Sequence, residues 1–191
     1  APAPFLQGIG TNGDVFTSEA ANGIPSNETT FGQALQQVGY ATLAVGKWHL
    51  GQRAAFLPSV HGFDAYFGIP FSVDNGLSSW QFFNDSYGGG ASAAYHQTPL
   101  PLMSTAGDGS SHADPLLAEH GRAEAVIEQP TSLATLTQRY VNFTTAFMQN
   151  AVAEKKPFLA YVAFSHVHAP NFASDAFCNT SARGPIGDAV Q

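Results

Sequence analysis

The stretch Tyr40-Ala41-Thr42-Leu43-Ala44-Val45-Gly46-Lys47-Trp48-His49-Leu50-Gly51 decides how this chain is read. An apolar run from Tyr40 to Val45 ends on a glycine and then delivers a fixed cation and a titratable imidazole within three residues. Lys47 and His49 lie two apart, so in extended backbone their side chains project to the same side and can meet one oxyanion together. The run predicts a strand, and Gly46 and Gly51 predict constrained backbone around the pair. Together they predict a site for an anionic substrate.

The arrangement occurs a second time. Phe158-Leu159-Ala160-Tyr161-Val162-Ala163-Phe164 is followed by Ser165-His166-Val167-His168-Ala169-Pro170, again apolar run and then polar turn. The run does not alternate, which predicts a strand covered on both faces, as in a parallel sheet with helices on each side. A helix precedes each strand. Thr29 or Thr30 offers an N-cap, Phe31, Leu35 and Val38 follow at helical spacing, and Gly39 is a natural stop. Leu133, Leu136, Tyr140, Phe143 and Phe147 recur in steps of three and four, predicting an amphipathic helix from Ser132 to Glu154. Lys155 and Lys156 suit its carboxyl end through the helix dipole, and Pro157 ends it.

Two helix-then-strand units predict an α/β fold with a mostly parallel sheet flanked by helices. In such sheets ligands bind outside the carboxyl ends of the strands, where both polar turns would lie. Elsewhere the chain is less regular. Residues 1–26 read as loop, and residues 51–80 carry turn residues among aromatics, which predicts an ordered loop system over a sheet edge. From Gln81 to Pro130 the periodicity fades into a loop-rich insertion; a structureless loop of that length is unusual, so short strands or helical turns are expected within it. One domain over residues 1–191 is expected, with 81–130 as its variable part.

Each candidate site residue has an ordinary structural alternative. Lys47 and His49 can be a surface lysine and a satisfied core histidine beside a packing Trp48. His166 and His168 can be one inward and one outward structural histidine. Ser72, in Gly68-Ile69-Pro70-Phe71-Ser72, can donate a hydroxyl to a substrate or simply build a turn. Asp64, Asp74 and Asp188 sit beside glycines and fit turn or cap roles. Cys178 has no base adjacent in sequence and reads as a buried, unreactive thiol. An H-x-H pair can also open a zinc site, with His61, His96, His112 or His120 as third ligand, but no H-E-x-x-H or paired-cysteine spacing supports it.

Composition excludes several classes. With 191 residues, 44% of them hydrophobic, the chain can bury a sizeable core. Its formal net charge is −7 and it has no basic stripe, which argues against a nucleic-acid partner. No apolar run reaches the roughly 18 residues that span a bilayer. Asn27, Asn84, Asn142 and Asn179 stand in N-x-Ser/Thr frames, so N-glycosylation along a secretory route is expected. The single cysteine offers no internal disulfide.

The combination Gly39-Tyr40-Ala41-Thr42, Gly46 to Gly51, His61-Gly62-Phe63-Asp64 and Phe67-Gly68-Ile69-Pro70 resembles the sulfatase family, near its lysosomal arylsulfatase A type. Downstream, Pro157 to Pro170 and Arg183-Gly184-Pro185-Ile186-Gly187-Asp188 look like a further block of the same family. The resemblance implies an alkaline phosphatase/sulfatase-like sandwich, present in part, and hydrolysis of aryl, glycan or glycolipid sulfate esters by a lysosomal or secreted enzyme. Lys47 would then be the sulfate-binding cation and His49 the histidine that helps break down the sulfated intermediate. Ser72 and His168 would bind substrate, His168 at the sulfate and leaving oxygen; His166 has no assigned role.

The family also uses a formylglycine made from cysteine in a C-x-P-S-R motif, and a calcium ion. That motif is absent, as are the paired aspartates and the later Asp-Asn pair that hold calcium, and Val73 replaces a histidine common after the serine. The expectation is therefore an internal segment lying between nucleophile and carboxyl-terminal metal ligands, inactive by itself. A non-catalytic sulfated-glycan binder that kept Lys47, His49 and His168 is the alternative, and a phosphate-ester hydrolase of the same superfamily is a more distant one.

Overall fold

The structure, a computed structural model, describes residues 16, 18, 20–76, 99–105 and 124–191. Five strands and three α-helices organise these residues. The strands are β1 (Ala41–Lys47), β2 (Ala65–Ile69), β3 (Leu102–Ser104), β4 (Ala125–Glu128) and β5 (Phe158–Ala163). The helices are α1 (Phe31–Gln36), α2 (Leu133–Ala153) and α3 (Gly184–Val190). The sheet order is β4-β3-β2-β1-β5, with β1 parallel to both β2 and β5, while β2–β3 and β3–β4 are antiparallel. The expected α/β fold is present, with a sheet that is mixed rather than mostly parallel.

Alternation along β1 and β2 builds one core on each face. Leu43 and Val45 of β1 and Phe67 and Ile69 of β2 pack with Leu136 and Tyr140 of α2. Ala44, Trp48, Tyr66 and Phe63 belong to the opposite cluster, with Leu57 and Met103. Leu43, Phe67, Leu136 and Tyr140 are completely enclosed, so α2 is held by its apolar stripe as its spacing requires.

Both helices that feed the parallel strands stop in the same way. After α2, Lys155 adopts φ +56°, Lys155 N–H donates to Val152 O and Lys156 N–H donates to Ala151 O. After α1, Gly39 adopts φ +88°, donating to Gln36 O, while Tyr40 donates to Leu35 O. Each is a Schellman closure, and the two exits are then tied together by Ala41 N–H donating to Pro157 O at 2.9 Å. The two lysines after α2 thus act mainly through backbone geometry. At the other end of α2, Ser132 makes no side-chain cap; Glu128 Oε1 instead accepts Ser132 N–H at 2.7 Å while its other oxygen pairs with Arg139.

Three expectations are corrected. Residues 51–80 are not only loop: Ala65–Ile69, bracketed by Asp64 and Pro70, forms β2 in the middle of the sheet, its short apolar run hidden among turn residues. β5 is not covered on both faces, since Tyr161 is 40% exposed and α2 packs on one side of the strand only. Helix α1 does not bury Phe31 or Val38; its buried residue is Gly32, seated against the backbone of 61–62, and its start is fixed by a capping box between Thr30 and Gln33. The short strands expected within 81–130 are present as β3 and β4. Asn84, His96, His112, His120 and most of residues 1–26 lie outside the described residues.

Lys155 carries a side chain in left-handed backbone, which costs about 1 kcal/mol relative to glycine. Lys155→Gly is therefore expected to stabilise the protein by about 0.5–1 kcal/mol in urea unfolding, and a loss of stability would contradict the closure described for α2.

Candidate active site

The carboxyl end of β1 is built by exclusion of side chains. Gly46 has φ +99°, and a Cβ there would sit 1.8 Å from Ala163 O of β5. Its partner Gly68 in β2 leaves no more room, since a Cβ would fall 1.9 Å from Gly46 O. Beyond this narrow point the backbone keeps pairing with the extension of β2, as Trp48 N–H donates to Ile69 O and His49 N–H to Pro70 O, both at 3.0 Å. That extension aligns 47–49 with 69–72. His49 itself is held at φ +59°, an unusual conformation for a residue with a side chain.

The alignment brings the candidates together. Lys47 Nζ donates to Ser72 Oγ at 3.1 Å, and Ser72 is buried. Asp74 is the central residue of the 3-10 turn Val73–Asn75, for which Ser72 is the N-cap. His168 Nδ1 lies 3.8 Å from Asp74 Oδ1. His49 feels the charges of Lys47, Asp74 and His168. The four residues Lys47, His49, Ser72 and His168 thus form one cluster, at and just beyond the ends of three neighbouring strands. Asp74 completes it. Sequence reasoning took Asp74 for a turn residue, and no local pattern separates it from one, because the group it faces, His168, is remote in sequence.

Electrostatics suit these groups to different tasks. Burial lowers the Lys47 ammonium below its ordinary value, with Asp74 partly offsetting the effect. Burial also lowers His49, and the Lys47 charge adds to it, so the imidazole is neutral near pH 7. His49 Nε2 lies 2.6 Å from Phe16 O, and a carbonyl can only accept; Nε2 therefore carries the proton and Nδ1 is left as the basic nitrogen. For Asp74, burial raises the carboxyl, but hydrogen bonds from Ser72 and Asn75 and the proximity of His168 outweigh it and hold it below the usual carboxylate value.

The remaining candidates are placed elsewhere. His166 is structural: Thr137 Oγ1 lies 3.0 Å from Nδ1, Nε2–H donates to Phe172 O at 2.8 Å, and the ring lies against Phe172 with centroids 4.0 Å apart. It pins the second polar turn to α2 and frees His168 to face Asp74. His61 is buried against Trp48, 6.2 Å between centroids. Asp64 ties the entry of β1, accepting Thr42 N–H at 3.0 Å, and Asp188 accepts the N–H groups of Asn179, Thr180 and Ser181. Cys178 is exposed rather than buried, because it sits in a polar turn of 174–181 that packs under no apolar layer.

Among the described residues no group of three or more His, Cys, Asp or Glu side chains could hold a metal ion. Asp74, the carboxylate in the cluster, is engaged by Ser72 and Asn75, so the residues described do not by themselves fit a calcium site.

Gly46→Ala is expected to reduce folding strongly, because the added methyl meets backbone on a neighbouring strand; circular dichroism melting of the variant tests this. A second expectation concerns pH. His49, His61 and His166 are all lowered by burial from 6.5. The unfolded chain then binds more protons than the folded one below about pH 6.5, so stability falls as pH drops through that value toward the folded-state values. Urea unfolding at pH 7.5 and 5.5 should show the lower midpoint at pH 5.5, and an unchanged midpoint would contradict the burial of these imidazoles.

The family profile described as Sulfatase matches residues 5–189. The chain is 37% identical over 162 residues to Arylsulfatase G of Homo sapiens, covering 81% of this chain and 28% of that protein. It is 31% identical to Arylsulfatase A of Homo sapiens, covering 92% and 32%, and 34% identical to N-acetylgalactosamine-6-sulfatase of Mus musculus, covering 91% and 29%. Among solved structures, a sulfatase from Pseudoalteromonas sp. superposes with a TM-score of 0.56 at 22% identity, over 85% of this chain and 31% of that one. Ps i-CgsB in complex with k-i-k-neocarrahexaose gives 0.56 at 23% identity, over 88% and 34%. The chain thus spans about a third of the length of its relatives. With the fold shared and the profile matched over nearly the whole sequence, the chain belongs to the sulfatase family.

Proposed function

We propose that the complete protein is a sulfuric ester hydrolase of the arylsulfatase type, with Lys47, His49, Ser72 and His168 forming part of its active site. The observation that carries this reading is the Lys47–Ser72 contact at 3.1 Å within reach of His49 and His168, at the carboxyl ends of parallel strands. A sulfate group presents oxygens whose charge changes as the ester bond breaks. Lys47 and Ser72 supply donors for those oxygens, and Lys47, drawn out of water by burial, gives a stronger field than an exposed lysine would. His49 offers a neutral imidazole with Nδ1 free to take a proton, the property needed to break down a covalent sulfated intermediate. His168 serves the sulfate and leaving oxygen.

Family membership supports a formylglycine nucleophile and a calcium ion in the complete protein, neither supplied by the residues described. The 191 residues contain no C-x-P-S-R motif, and the reading expects them to hydrolyse no aryl sulfate by themselves. The names of the relatives span aryl and N-acetylgalactosamine-6-sulfate substrates, which supports a sulfated small molecule or glycan as ligand. Asn27, Asn142 and Asn179 are exposed, as acceptors of N-glycans must be, which supports a lysosomal or secreted enzyme. No described helix is long and apolar enough to cross a membrane.

Lys47→Ala and His49→Ala, made in the product of the full reading frame, are each expected to lower kcat/KM for 4-nitrophenyl sulfate by about 10²–10³-fold, or roughly 3 kcal/mol of transition-state stabilisation. Near-normal turnover in both variants would overturn the assignment.

A further inference from the structure

We infer that Asp74 is a positioning residue of the active site, coupling the Lys47–Ser72 pair to His168 so that the anion-binding and leaving-group sides act together. The inference rests on the sulfatase reading of this site and goes beyond it, because it concerns a carboxylate to which that reading assigns nothing.

The geometry gathers a cation, a hydroxyl, a carboxylate and an imidazole at one place. Lys47 Nζ donates to Ser72 Oγ at 3.1 Å, and Ser72 is the N-cap of the 3-10 turn that carries Asp74, so the backbone sets the carboxylate beside the pair. Asn75 Nδ2 donates to Asp74 Oδ1 at 3.0 Å and so fixes the carboxylate orientation on the 3-10 turn. The same Oδ1 lies 3.8 Å from His168 Nδ1, whose proton is also directed to Ala169 O at 2.7 Å. Ala169 O can only accept, so the proton resides on Nδ1, beside the Asp74 carboxylate, and Nε2 is the other ring nitrogen. Asp74 thus acts on both sides of the cluster, drawing the Lys47 ammonium through its charge and lying beside the His168 ring.

The consequence is chemical. As the S–O bond of a sulfate ester breaks, an oxygen nucleophile of the complete protein takes the sulfuryl group and the departing oxygen gains negative charge. A proton from the Nε2 side of an imidazolium His168 passes to that oxygen, leaving a neutral imidazole and a free alcohol. Holding an imidazolium next to Lys47 requires a counter-charge, and Asp74 supplies it while keeping the ring aimed. A poor leaving group depends on this proton far more than a good one does.

Asp74→Asn keeps the shape and the Asn75 contact but removes the charge, so it separates positioning from folding; an unfolding midpoint close to that of the parent shows that the variant is folded. In the full-length protein, Asp74→Asn should lower kcat for an alkyl sulfate at least tenfold more than kcat for 4-nitrophenyl sulfate, with KM changed less than kcat. His168→Ala should show the same leaving-group bias, and the double variant should lose little beyond His168→Ala. Equal losses on the two substrates, or losses that multiply in the double variant, would overturn the role of Asp74 while leaving the sulfatase reading intact. A parent enzyme that turns over neither substrate would overturn both.

Discussion

Everything at the site descends from a steric fact at the end of β1, where the backbone runs so close to both parallel neighbours that neither Gly46 nor Gly68 has space for a side chain. Close approach lets β1 continue pairing with the extension of β2 past the regular strand, through Trp48 and His49. Without that continuation Lys47 would leave the sheet at an arbitrary angle. With it, the ammonium lands on the hydroxyl of Ser72. The site is therefore positioned by backbone packing first and by side-chain attraction second, which fits a group that must be held still before charge develops.

Burial then sets the chemistry. Taking Lys47 and His49 partly out of water disfavours charge on both, and the Lys47 charge lowers His49 further, so the lysine needs a nearby carboxylate while the histidine is kept neutral. Asp74 answers the first need, and the Phe16 carbonyl fixes the tautomer that leaves Nδ1 of His49 available. Two histidines on one turn are placed differently: His166, spent on Thr137 and Phe172, anchors the loop, and His168 faces Asp74.

Much of this was legible in the sequence, for physical reasons. Periodic burial made α2 readable from Leu133, Leu136 and Tyr140, and unbroken apolar runs revealed β1 and β5. Lys47, His49 and Ser72 meet although His49 leaves extended geometry at φ +59°, because backbone pairing of 48–49 with Ile69 and Pro70 holds the two segments side by side. What was not legible depended on contacts between distant segments. β2 is five residues among turn formers, and its central place in the sheet comes from pairing on both sides, which no local pattern records. Asp74 looked like any turn aspartate, since its importance lies in His168, 94 positions away. The half-exposed face of β5 and the exposed Phe31 of α1 likewise reflect which neighbours the fold provides, not the composition of either segment.

The cluster draws one contribution from β1, one from the extension of β2 and one from the turn after β5, three strands locked by the pairings Val45↔Phe67 and Val45↔Val162. A slip of a single residue in either ladder would turn the displaced side chains to the opposite face. The same slip would bring Leu43, Val45, Phe67 and Ile69 out of the core, so one alignment serves both burial and the polar cluster, and neither can be lost alone.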